Sequence, residues 1–229
     1  MTDALFVVSE EGYWGEECIE PLTTLDDAGV NVTVATPTGG PPVVDERSLD
    51  PDRVGEEKAE WLREVDETDE RLNDPEMLSR VDADDYDAVV FPGGHGTEWD
   101  INQDKHARQV LVDVLEREDG GKAMIVCHAT GILAFARNGD GVPVGKDRDV
   151  TGFPNAWEEN IVDEDDIMPD GRKLPYWVED EVTAVGGNFD PELDKDESVK
   201  VDGDLVTGRG PGSSHAAATT LLDELGVER

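Results

Sequence analysis

The side chains best suited to covalent chemistry lie next to each other. They are Cys127 and His128, within KAMIVCHATGILAFA at 122–136. The thiolate is the nucleophilic form of cysteine, and imidazole is the side chain that exchanges protons near neutral pH. The apolar run 123–126 reads as a buried strand, and small and apolar residues then recur at helical spacing through Ile132, Leu133 and Phe135. Cys127 therefore stands at a strand-to-helix turn, near the positive end of a helix dipole, which favours thiolate over thiol. The arrangement parallels the nucleophile elbow of hydrolases, with Cys in place of Ser. A buried cysteine packed as a small hydrophobe fits the same pattern, so the turn alone leaves both readings open.

Three other segments carry chemistry to comparable positions. Glu16 and Glu17 follow the first apolar run, Gly93-Gly94-His95-Gly96 follows YDAVVF, and Glu158 and Glu159 follow VTGFP. With the elbow they offer a thiol, an imidazole, carboxylates and a backbone amide pair able to hold an oxyanion. Each acid taken singly reads as a solvated charge. Cys18 reads as a packing residue, since neighbours one apart on a helix face different ways. His95 either lines a pocket or hydrogen-bonds to its own loop, and His106 and His215 read as surface or capping positions. Four His and two Cys without close ligand spacing predict no metal site. The glycines at 93, 94 and 96 lack the full dinucleotide fingerprint, and no cofactor is expected.

The elements that must position these residues alternate between short apolar strands and helices. Strands are expected at 4–9, 30–36, 86–91 and 123–126, with a short one ending at Phe153-Pro154. Helices are expected at 16–28, closed by Gly29, with Pro21 in its first turns, and at 104–118. Further helical pieces are expected at 56–64, at 75–81 with Pro75 at its start and at 176–184, and a turn or helix begins over 156–159. Residues 198–206 read as a hairpin around Gly203, and Ser213 or Ser214 caps a last helix over 216–225. Residues 41–85 read as a polar, irregular surface excursion, a candidate lid or dimer contact. The whole is an α/β sandwich with a mostly parallel central sheet, one domain over 1–229. Ligands in such folds bind outside the carboxyl ends of the strands.

Composition narrows the function classes. The 229 residues carry 56 Asp plus Glu against 19 Lys plus Arg, a formal charge of -37. Regular apolar segments between the acidic runs argue against disorder. The charge reads as a solvated acidic surface suited to a salt-rich cytoplasm, and a halophilic source is expected. Nucleic acid and anionic membranes are poor partners for such a surface. No apolar stretch is long enough to span a bilayer. A basic signal start is lacking and the two cysteines lie far apart, so a cytoplasmic location is expected.

The segments EEGYWGEECIEP, YDAVVFPGGHGTEWDI, IVCHATG, VTGFPNAWEE and LVTGRGPGSS together resemble the ThiJ/PfpI superfamily. The most similar branch is the glutathione-independent glyoxalase III group, whose members are also described as holding chaperones and protein deglycases. The resemblance runs through nearly the whole chain, with 41–85 the weakest part. It implies a flavodoxin-like three-layer sandwich, with the nucleophile at Cys127, its imidazole at His128 and the characteristic acid at Glu17, four residues before Pro21. Glu158 is implied as the acid orienting His128, with Glu159 its competitor, and the amides of Gly94 and Ala129 as oxyanion donors, with Gly93 and His95 beside the pocket. Ala129 departs from the usual Gly after Cys-His, and Thr130 from the frequent Pro, which bears on pocket size. The implied activity is cofactor-free conversion of a small aldehyde such as methylglyoxal to a 2-hydroxy acid, by a homodimer. A cysteine peptidase or amidase, a deglycase, and a redox-sensing holding chaperone are the alternatives.

Overall fold

In the computed structural model, residues 2–117, 120–161 and 171–227 are described. The strands are β1 (Asp3–Val7), β2 (Asn31–Thr36), β3 (Glu76–Met77), β4 (Ala88–Phe91), β5 (Lys122–Val126), β6 (Asp149–Val150), β7 (Asn188–Phe189), β8 (Val199–Asp202) and β9 (Leu205–Gly208). The helices are α1 (Gly15–Asp27), α2 (Pro51–Val54), α3 (Glu56–Thr68), α4 (Glu70–Asn73), α5 (Lys105–Glu116), α6 (Ile132–Phe135), α7 (Asn155–Ile161), α8 (Val178–Ala184) and α9 (Ser214–Glu224).

The main sheet runs β3-β2-β1-β4-β5-β9-β8 and is parallel except for β8, which pairs antiparallel with β9. Its central strands are apolar without interruption because both faces are covered. Leu5, Val7, Val89, Phe91, Ala123 and Ile125 pack under α5, α6 and α8. The alternate residues Ala4, Phe6, Val90, Met124 and Val126 pack under α1 and α9. This is the α/β three-layer sandwich the sequence predicts. Strand order reverses between β1 and β4, and at such a switch point the loops leaving neighbouring strands diverge and open a crevice.

Several expectations are corrected. Residues 75–81 do not form a helix: Glu76 and Met77 pair with Ala35 and Thr36 at the edge of the sheet, and only a 3-10 turn, Leu78–Arg80, follows. The 41–85 stretch is largely helical and docked, with Leu49 and Leu62 buried against Ile19 and the Ser48 hydroxyl accepting from the Gly15 amide at 2.9 Å. Pro21, by contrast, lies where expected, in the first turns of α1, one turn beyond Glu17. The strand before Phe153 is β6, which pairs with β7 in a separate two-stranded ribbon and not with the main sheet. Neither serine caps α9 through its side chain. Ser213 Oγ instead accepts from the Ser198 amide at 3.0 Å, and Ser214 Oγ has no partner among the described residues. The expected end of the 104–118 helix at Glu118 lies outside the described residues.

Candidate active site

Cys127 leaves β5 with φ of 59°, a left-handed conformation that a non-glycine residue adopts at a cost of about 1–3 kcal/mol. This strained turn is the elbow. It lifts the sulfur off the sheet edge, and the 3-10 turn Cys127–Gly131 and α6 carry the chain away. Crowding around the turn dictates the glycines. A Cβ on Gly93 would lie 2.3 Å from Glu17 Oε2 and 2.5 Å from Cys127 Cβ. One on Gly94, itself at φ of 115°, would lie 2.6 Å from the Trp14 amide nitrogen.

The side chains form a relay. The Cys127 thiol donates to His128 Nδ1 at 3.2 Å, and His128 Nε2 donates to Glu158 Oε2 at 2.8 Å. With its Nε2 proton held by the carboxylate, the imidazole presents an unprotonated Nδ1 to the sulfur. Phe153 stacks on the ring at 4.2 Å between centroids and fixes its plane. Asn102 Nδ2 donates to the His128 carbonyl at 2.9 Å and to the Tyr176 hydroxyl at 2.8 Å, which fixes the backbone. Between the expected acids the structure chooses clearly. Glu158 is buried on the first turn of α7, and Glu159 faces solvent.

Burial and charge set the protonation states. Burial acts to raise Glu158, but hydrogen bonds from His128 and His95 bring it down to about 2, so it is a carboxylate at neutral pH. Glu17 is fully buried, and burial lifts it to about 8, against the opposing pull of the Cys127 thiol and the Gly93 amide. Among the described residues neither of its oxygens closes a regular hydrogen bond, so a neutral carboxylic acid faces the sulfur. Burial also pushes the Cys127 thiol well above its ordinary value, and an ionised Glu17 would push it further, while the His128 and Gly94 amides act the other way. The helix-dipole thiolate expected from sequence does not arise, because α6 is one turn long and burial dominates.

The structure brings Glu17, Gly94, His95, Cys127 and His128 around one cavity of about 310 Å³. Gly93 supports it from beneath. Ala129 does not join it: its side chain sits in the core on the α5 and α6 side, and the amides acting on the sulfur are those of Gly94 and His128. The departure at Ala129 therefore changes core packing more than pocket size. His95 lines the cavity and is held by side chains, with Nδ1 3.1 Å from an Arg47 guanidinium nitrogen and Nε2 3.5 Å from Glu158 Oε1. Burial and the neighbouring His128 lower it to about 4, so it is neutral. Cys18 is packed in the core. His106 lies in the first turn of α5, and His215 is exposed, 3.3 Å from Thr24 Oγ1.

Sequence spacing gave no metal cluster, yet His95, His128 and Glu158 bring ligand atoms within 4.8 Å of one another. A cation held there would occupy the imidazole that faces the thiol. Sequence reasoning also missed Arg47, Glu98, Asn102 and Tyr176. Glu98 is the most unusual of these. It is fully buried, both oxygens lack partners among the described residues, and burial with the nearby Glu158 charge lifts it to about 9. No helix among the described residues is long and apolar enough to cross a membrane.

The chain is similar in sequence and fold to known proteins. The glutathione-independent glyoxalase HSP31 of Saccharomyces cerevisiae is 28% identical over 222 residues, covering 95% of this chain and 90% of the relative. The protein/nucleic acid deglycase HchA of Pseudomonas aeruginosa is 28% identical over 220 residues, covering 90% of this chain and 72% of the relative. The crystal structure of glyoxalase III from Candida albicans superposes with a TM-score of 0.81 at 26% identity, covering 97% of each chain. The DJ-1/PfpI family model matches residues 3–224. With a family model matched over almost its whole length, the chain belongs to the DJ-1/PfpI family.

Proposed function

We propose that this protein is a glutathione-independent glyoxalase, converting a 2-oxoaldehyde such as methylglyoxal to the 2-hydroxy acid. The observation that carries the reading is the relay from the Cys127 sulfur through His128 to Glu158, at 3.2 and 2.8 Å, with a protonated Glu17 facing the same sulfur. The likeness to HSP31 and to glyoxalase III supports it.

The chemistry closes without an external oxidant or reductant. The Cys127 thiol passes its proton to His128 Nδ1 as sulfur bonds to the aldehyde carbon, and Glu17 protonates the developing oxyanion, giving a hemithioacetal. The Glu17 carboxylate then takes the hydrogen from that carbon while His128 protonates the ketone oxygen, which makes an enediol. Glu17 returns its proton to the former ketone carbon and recovers one from the first hydroxyl, leaving a thioester. Water adds to the thioester with its proton going to His128, the carbon–sulfur bond breaks, and the thiol regains that proton. One carbon is oxidised by two electrons and its neighbour reduced by two, so the sum is addition of one water. Glu17 suits the carbon-to-carbon transfer because its affinity lies near the working pH. The Gly94 and His128 amides act on the Cys127 sulfur, and in this mechanism they would hold the oxyanion that forms beside it.

The test is lactate formation from methylglyoxal without glutathione, with Cys127→Ala as the comparison. The variant should lose turnover while keeping its melting temperature. Retained turnover would remove the mechanism. The likeness to HchA favours a second reading, protein or nucleic acid deglycation by the same thiol, which release of free amine from a methylglyoxal-treated peptide would detect.

A further inference from the structure

The cavity above Cys127 is larger and more aromatic than methylglyoxal requires. Its 310 Å³ falls at the low end of volumes that enclose drug-sized ligands. The reacting groups line it together with Trp14, Phe153, Trp157, Ile161 and Pro211, with Arg53 also lining the cavity.

These walls are held in place. Trp157 meets Phe153 edge-on at 5.7 Å, and the Arg209 guanidinium covers the Trp157 ring at 4.6 Å. Arg209 is itself buried, with its two terminal nitrogens donating to the carbonyls of Pro191, Glu192, Lys195 and Asp196 at 2.6–2.9 Å. Such a clamp leaves the guanidinium, and the ring beneath it, little freedom. Opposite in sequence, Arg53 lies over the Trp14 ring at 5.8 Å. Ile161 follows Trp157 by four residues on α7, so both fall on one helix face. Phe153, already stacked on His128, ties this aromatic wall directly to the acid–base centre.

A preorganised slot of this kind returns most to a rigid, flat, apolar group, because little ordering of the protein opposes its burial and aromatic rings gain further from edge and offset contacts. Methylglyoxal presents only a methyl group to it. We propose that the preferred substrates are 2-oxoaldehydes carrying an aromatic ring on the ketone carbon, with Trp157 and Ile161 as the residues that set this preference. The inference rests on the glyoxalase reading and uses the same bond changes, phenylglyoxal plus water giving mandelate.

The experiment compares kcat/KM for phenylglyoxal and methylglyoxal on the full chain without glutathione, from mandelate and lactate produced in initial rates, before guanidinium groups are modified. Phenylglyoxal should be favoured about tenfold or more, since even one methylene in an apolar pocket is worth roughly tenfold. Trp157→Ala and Ile161→Ala should each reduce the ratio severalfold. Ile161 lies further along α7 from Glu158 than Trp157 does, so its variant keeps the test alive if Trp157→Ala unfolds. A wild-type ratio of one or below, with methylglyoxal still converted, overturns the aromatic preference alone. Failure to convert either aldehyde overturns the glyoxalase reading with it. A high ratio untouched by either variant overturns the assignment to these walls.

Discussion

Glu98 gives the most searching test of how burial governs this site. It ends the 3-10 turn after β4 with no exposure and, among the described residues, no hydrogen-bond partner for either oxygen, and Glu158 and Tyr176 are titratable groups that act with it. Its carboxyl is lifted from an ordinary 4.5 to about 9. Between those values the folded chain keeps a proton that the unfolded chain has released. The contribution of Glu98 to stability is therefore fully present below about pH 4.5 and is lost as pH rises toward 9. Each pH unit costs about 1.4 kcal/mol, so the whole window amounts to roughly 6 kcal/mol as a ceiling, and pH 7 lies a little past its middle. That is comparable with the entire stability of many domains, about 5–15 kcal/mol.

Replacing Glu98 with Leu removes the titration and the orphaned oxygens together, and Glu98→Gln removes the titration alone. Urea unfolding of the three proteins at several pH values from about 5 to 9, in constant high salt, gives the differences directly. Other titrating groups are common to all three and cancel to first order. Glu98→Leu should gain on the wild type by several kcal/mol across that range, with a slope of about one proton per molecule. Glu98→Gln should show the same slope with a smaller offset, because an unpaired buried amide still costs about 1–3 kcal/mol. A stability difference between Glu98→Leu and wild type that stays flat from pH 5 to 9 would refute the assignment of a neutral buried acid.

Glu158→Gln keeps the shape of the triad acid but removes the charge that holds the His128 tautomer; turnover should fall roughly a thousandfold or more, and a loss below tenfold would make Glu158 dispensable. Gly93→Ala places a methyl 2.3 Å from Glu17 Oε2, so calorimetry should show a loss of about 1–3 kcal/mol with collapse of activity; a wild-type melting temperature would contradict the crowding. The charge of -37 predicts a lower melting temperature in millimolar than in molar salt, where the screening length shrinks to about 3 Å; equal melting in both would sink the halophilic reading.

The central strands were legible because a doubly covered parallel strand is apolar along its buried length, and AVVF and the AMIV of β5 satisfy that without context. The elbow was legible because Cys-His at the end of such a strand can hardly be placed elsewhere. Choosing between Glu158 and Glu159 needed the helix phase of α7, which a one-residue slip changes. Residues 75–81 were misread because β3 exists only through its pairing with Ala35 and Thr36, a contact made across some forty residues of chain. Glu98 left no signal: among 56 acids, a buried one looks like the rest until its surroundings are seen. Arg47 reaches His95 from the least regular stretch of sequence, where spacing carries no information about direction.

The contrast between surface and site explains how so acidic a chain can run thiol chemistry. A standing thiolate would be opposed by every ionised carboxyl nearby. Burial answers this at Glu17 and Glu98 by keeping both protonated near neutral pH, while the ionised Glu158 is paired to His128 and flanked by a neutral His95. The negative field at the sulfur is therefore far weaker than the composition suggests. The same burial keeps Cys127 a thiol at rest. In the proposed mechanism the 3.2 Å path to His128 Nδ1 would remove the proton as the carbon–sulfur bond forms, and a thiol ionising only when an aldehyde arrives would be shielded from oxidation between turnovers.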